Sequence, residues 1–131
     1  MNDAQHLEAI AGALRAGRMI PYLGPGMLAL CAAADAVPAS LEALAGFLGS
    51  KVTVPGRARG NLGASAQYIE NFKHRKTLVE LMRQAFAPPL RPSPLHRALA
   101  ALPTLPLIIL LWYDDVLRVA LTDRRGVGLL Q

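Results

Sequence analysis

The chain has 131 residues, too few for more than one open α/β domain, and 53% of them are hydrophobic, which excludes a disordered chain. Its net charge of +5 comes from 14 Lys+Arg against 9 Asp+Glu. The basic residues are scattered, and aromatics make up only 5% and do not interleave with them, so nucleic-acid binding is not indicated. The longest apolar run, Leu105 to Tyr113, is interrupted by Pro106 and falls short of the ~20 residues of a membrane span. Cys31 is the single cysteine, so no intrachain disulfide can form. With no secretory pattern in Met1–His6, a cytoplasmic setting is expected. No His, Cys and carboxylate cluster has metal-ligand spacing.

In chain order, Leu7, Ile10, Ala11 and Leu14 recur at helical spacing and predict one buried helix face. Asn2 is placed to cap this helix, with Gln5 three residues on, and Gly17 to end it. Residues 18–23 read as a short buried strand. Gly24-Pro25-Gly26 follows, then an expected helix from Met27 to Ala34. Ser40 is placed to cap a helix carrying Leu41, Leu44, Ala45 and Leu48.

Lys51 to Gly63 is the least regular stretch, punctuated by Pro55, Gly56, Gly60 and Gly63, with a short extended piece at Val52–Val54. Its Arg57, Arg59 and Asn61 either form a solvated loop or fold over an anion. Helices are predicted over about 64–72 and 74–86, and Pro88-Pro89 stops the second. Ser93 and Pro94 start another helix, with Leu95 and Leu99 on it. A second strand is expected at about 107–112, apolar enough to be buried on both faces. Asp114 or Asp115 then caps a helix running through Thr122, and Val127–Leu130 reads as the start of a further strand.

Two strand ends carry the chemistry. Gly24 and Gly26 either cradle a pyrophosphate, because the missing Cβ lets a ligand reach the amides, or simply make the strand-to-helix turn. Asp114 either faces a ribose or only caps its helix. His96 reads as a packing or capping residue, and Cys31 as a small buried hydrophobe. Side by side, the two strand ends would form a nucleotide crevice.

Five segments in order resemble the bacterial sirtuin-like NAD-hydrolase domains. They are Gly17–Leu28, Pro38–Ala45, Ala66-Gln67-Tyr68, Ser93–Ala100 and Leu110–Asp114. The resemblance implies a Rossmann-like, helix-rich α/β fold with a small, incomplete parallel sheet. It implies a single domain over 1–131 that lacks the family's C-terminal part. It further implies an NAD or ADP-ribose crevice at Gly24, Pro25, Gly26, Tyr113 and Asp114, with no metal. Trp112 stands where the family has a catalytic Asn, Leu28 where it has a Ser, and no histidine follows His96. An indole has one donor and no acceptor, so it cannot replace an amide's contacts. The expectation is therefore a catalytically degenerate binding or regulatory module. The alternative is an NAD glycohydrolase completed by further residues or a partner chain. So few strands also predict a homo-oligomer or a protein partner to complete the sheet.

Overall fold

The computed structural model describes residues 2–125. It is helix-rich, with one small parallel sheet, and so belongs to the mixed α/β class. The chain divides into two compact units. One comprises the chain up to Gly24 and from Arg91 onward; the other is Pro25–Leu90. The expected strand Val127–Leu130 lies outside the described residues.

The first unit opens with helix α1, Asp3–Arg15. Asn2 and Gln5 form the expected capping box, each side chain bonded to the other's backbone N–H at 2.9 Å. At the other end, Arg18 N–H donates to Ala13 O and Gly17 N–H to Leu14 O, a Schellman arrangement. Gly17 supplies the positive φ of 71° that this arrangement needs. Thr104 Oγ1 then donates to the Arg15 carbonyl at 2.5 Å, which ties the helix end to a segment 89 positions away. The apolar face of α1 is not buried as its spacing predicts. Leu7 is 67% and Ile10 44% exposed, and no α1 residue is buried.

Strand β1 is Tyr22–Leu23 and strand β2 is Ile109–Leu110. They pair in parallel, Tyr22 with Ile109 and Leu23 with Leu110. Both are shorter than the apolar runs at 18–23 and 107–112 suggest, and both are less buried. Met19, Ile20, Tyr22, Leu107, Leu110 and Leu111 are exposed. The reason is the small sheet: an aliphatic run becomes a buried strand only when neighbours cover both its edges and faces. Helix α5, Pro94–Ala100, packs on helix α6, Val116–Arg125. Leu99 and Ala100 of α5 and Val116, Leu117 and Ala120 of α6 are buried.

The second unit holds helices α2, Leu41–Lys51, α3, Leu62–Lys73, and α4, Arg75–Ala85, packed on one another. Leu48, Val54, Ala58, Ile69 and Leu81 form its core. Ser40 and Asn61 cap α2 and α3 by accepting from the N–H groups of Ala43 and Ala64. The stretch between α2 and α3 is better organised than its glycines and prolines suggest. Ala58 and Arg59 donate N–H bonds to the Pro55 carbonyl, and buried Ser65 donates its hydroxyl to Ala58 O at 2.8 Å. Val54 enters the helical core, and among the described residues Val52–Val54 pairs with no strand.

Where an α-helix is expected over Met27–Ala34, a 3₁₀ helix spans Pro25–Leu30 and a second covers Ala34–Ala36. Leu28 and Cys31 are the buried residues of this stretch, and their i, i+3 spacing fits a three-residue turn. Ala33 in the left-handed region, φ 57°, separates the two pieces. Among the described residues no helix is long and apolar enough to cross a membrane.

Gly17 gives a direct test of the fold. A Cβ there would lie 2.6 Å from the Thr104 carbonyl oxygen, on a backbone that disfavours side chains. Gly17→Ala should destabilise the chain by about 1–3 kcal/mol in chemical denaturation. Gly24→Ala has open space around its Cβ and no positive φ, and should stay within about 0.5 kcal/mol of the wild type.

Candidate functional site

The parallel pairing puts the C-terminal ends of β1 and β2 beside each other in the first unit. Gly24 follows β1 directly, and Trp112, Tyr113 and Asp114 follow β2. The edge beyond the carboxyl ends of parallel strands is where open α/β sheets place ligands. Three of the residues singled out from the sequence, Gly24, Tyr113 and Asp114, therefore share one edge. Pro25 and Gly26 begin the 3₁₀ helix of the second unit.

Neither glycine of the motif is required by its own backbone. Both lack the positive φ found at Gly17 and Gly60, and a Cβ at either would meet nothing within 4 Å. The turn could be made with larger residues, so what the glycines provide is unfilled space. The helix after them corrects one expectation. It is a six-residue 3₁₀ helix, not an α-helix, so it offers no long array of aligned peptide dipoles to an anion.

Trp112 is buried, at 9% exposure, and its ring stacks at a tilt on Tyr113, with centroids 5.1 Å apart. The indole is thus part of the packed interior. Tyr113 is 58% exposed. Asp114 is half-buried, and its carboxylate accepts the Val116 N–H at 3.1 Å, capping the first turn of α6. Asp115 instead pairs with Arg118 at the surface, 2.7 Å away.

Behind this edge lies a buried polar cluster. Ser93 and His96 are each 2% exposed. Ser93 caps α5 by accepting the His96 N–H at 3.2 Å, and His96 Nδ1 accepts the Ser93 N–H at 3.2 Å. Ser93 Oγ lies 2.7 Å from the same nitrogen, so its hydroxyl also donates to Nδ1. These bonds leave the proton of the neutral ring on Nε2. Burial lowers the His96 pKa from 6.5, and the Asp114 carboxylate opposes that shift in part. Ser93, His96 and Asp114 have the residue types of a hydrolytic triad but not its geometry. The hydroxyl is spent on the helix cap and is sealed from solvent. The Ser-x-x-His spacing marks the cap in the sequence; the coupling of His96 to Asp114 required the fold.

In the second unit, Arg57 and Arg59 are exposed and have no carboxylate partner among the described residues. Arg59 and Gly60 line a pocket of about 380 Å³ together with Gly46, Gly49 and Thr53. Cys31 is buried and free of any disulfide. Among the described residues no group of three or more His, Cys, Asp or Glu side chains could hold a metal ion. No family model, curated protein or solved structure matches this chain.

The His96 cluster sets a pH dependence. Unfolded His96 titrates near 6.5 and folded His96 lower, so between those values the unfolded chain binds more protons. The stability from the neutral ring is complete above about pH 6.5 and is lost as pH falls through the folded value. Urea midpoints measured from pH 7.5 to 5 should fall in the wild type, and this component should be absent in His96→Asn. An equal loss in both would remove His96 from the account.

Proposed function

We propose that this chain is a sirtuin-like domain with a Rossmann-like sheet, that it binds NAD or ADP-ribose, and that it acts as a binding or regulatory module without catalysis. The observation that carries the reading is the pair of glycines at Gly24 and Gly26, which neither backbone conformation nor crowding requires. A ligand phosphate needs the same open approach to backbone amides. The parallel strand ends, with Gly24 beside Tyr113 and Asp114, support the placement. Buried Trp112 and the cap-bound Ser93–His96 pair support the absence of catalysis. Neither offers a solvent-reachable base or an amide that could orient water. The exposed face of α1, with Leu7 and Ile10, supports a protein partner or self-association as part of that role. The alternative activity is NAD glycohydrolysis in a completed assembly.

Calorimetric titration of the purified chain with NAD and with ADP-ribose tests the reading. Binding of at least one nucleotide is expected, with no nicotinamide release above a heat-denatured control. Gly26→Val should abolish the binding heat while leaving the unfolding midpoint near the wild type, since its Cβ meets open space. Absence of heat with both nucleotides would end the nucleotide reading. Unchanged affinity in Gly26→Val would move the site away from the glycine turn.

A further inference from the structure

The pocket of about 380 Å³ in the second unit is lined by Gly46, Gly49 and Ser50 of α2 and by Thr53, Arg59 and Gly60 of the stretch after it. Its volume lies at the small end of the roughly 300–1,000 Å³ of small-molecule sites, which suits a small metabolite. Among the described residues no carboxylate lines it. The backbone under Arg59 is held in place. Ala58 and Arg59 donate N–H bonds to the Pro55 carbonyl, and buried Ser65 fixes Ala58 through its carbonyl. A cation on an anchored loop loses less freedom when it binds.

The lining residues carry donors without acceptors. Among the described residues, the Arg59 guanidinium, the Thr53 hydroxyl and the backbone N–H groups of Thr53 and Gly60 have no hydrogen-bond or ion-pair partner. Ser50 differs, because its hydroxyl donates to the Phe47 carbonyl at 2.7 Å. Guanidinium keeps its charge throughout the pH range of folded proteins, and its N–H fork matches an oxyanion. Gly46 and Gly49 add a second observation. Glycine is disfavoured inside a helix, yet neither residue has a positive φ, and a Cβ at either would meet nothing within 4 Å outside its own helix. Packing of α2 does not require them, and larger side chains at these two lining positions would take up pocket volume.

We propose that this pocket binds a phosphate group, free or carried by a small metabolite, with Arg59 as its principal contact. A phosphate carries up to about two negative charges near neutral pH and several acceptor oxygens, so one group engages the guanidinium fork together with hydroxyl and amide donors. Thr53 and Gly60 supply those donors. The site is independent of the glycine turn at Gly24–Gly26 and of the nucleotide reading. Arg57 stands two positions away in the same basic stretch, is exposed, and does not line the pocket, so it is the internal control.

Amide-detected NMR of the full chain, titrated at constant ionic strength with sodium phosphate, glycerol 3-phosphate or sodium acetate, tests the proposal. Saturable shifts of the Thr53, Arg59 and Gly60 amides are expected with phosphate or its ester, with a Kd below about 10 mM. Whichever of the two binds more tightly identifies the source of the group. Arg59→Gln should weaken binding at least about tenfold, and Arg57→Gln by less than about twofold. Gly46→Leu should abolish binding while keeping the unfolding midpoint near the wild type, and Gly26→Val should leave binding intact. Absence of saturable shifts in the wild type would overturn the proposal, and that measurement needs no variant to fold. Equal weakening by Arg57→Gln and Arg59→Gln would also overturn it, by reducing the effect to diffuse attraction. So would acetate binding as tightly as phosphate.

Discussion

The chain is closed on itself by two backbone hydrogen bonds, Ile109 N–H to Pro21 O and Leu111 N–H to Leu23 O. They join the first segment of the chain to the last and make everything from Pro25 to Leu90 an excursion between two strands. Parallel pairing demands a crossover, because the chain must return to the same end of the sheet before it can run the same way again. Here the crossover carries a three-helix unit with its own core of Leu48, Val54, Ala58, Ile69 and Leu81. Closing a loop of that length costs about 4 kcal/mol in chain entropy, which four strand residues do not offset by themselves. The Thr104–Arg15 bond, the Schellman end of α1 and the packing of α5 on α6 share the burden.

The same pairing sets the chemistry of the candidate site. It puts Gly24, just past β1, at the same end of the sheet as Tyr113 and Asp114, which follow β2, and Asp114 lies close enough to His96 for its charge to act on the ring. The site edge and the polar cluster behind it are therefore linked through one carboxylate. Asp114 holds the first turn of α6 and also biases the protonation of a buried histidine. Its environment favours a structural role for the cluster. The Ser93 N–H and hydroxyl and His96 Nδ1 are all engaged in capping α5.

Local signals were legible where the relevant partners lie within a few residues. Asn2 with Gln5, Ser40, Gly17, and Ser93 with Pro94 form helix ends set by groups a few positions apart, whereas Asn61, read from the sequence only as part of the basic loop, proved to cap α3. Helices α3 and α4 follow from the spacing of their apolar residues, and α2 likewise. The signals that misled were aliphatic runs. Residues 18–23 and 107–112 contain enough apolar side chains for buried strands, yet only two residues of each pair. Strand burial is a property of the neighbours, and a run of leucines cannot specify how many neighbours it has. The Ala-rich segment after Gly26 misled for a related reason. Its composition favours an α-helix, but the burial of Leu28 and Cys31 at three-residue spacing suits the tighter turn.

The amino-acid sequence by itself determined the helical caps, the order of the elements, the mixed α/β class and the glycine turn at the end of the first strand. These depend on backbone stereochemistry and short-range hydrogen bonds, which neighbouring residues dictate. Only the tertiary structure decided that Gly24 and Gly26 stand in open space, that Trp112 belongs to the interior, and that the basic stretch after α2 is anchored through Ala58 and Ser65. It also decided that α1 leaves Leu7 and Ile10 uncovered. Those outcomes depend on which distant segments meet, and pairwise contact across the chain is set by packing of the whole, which no local pattern contains.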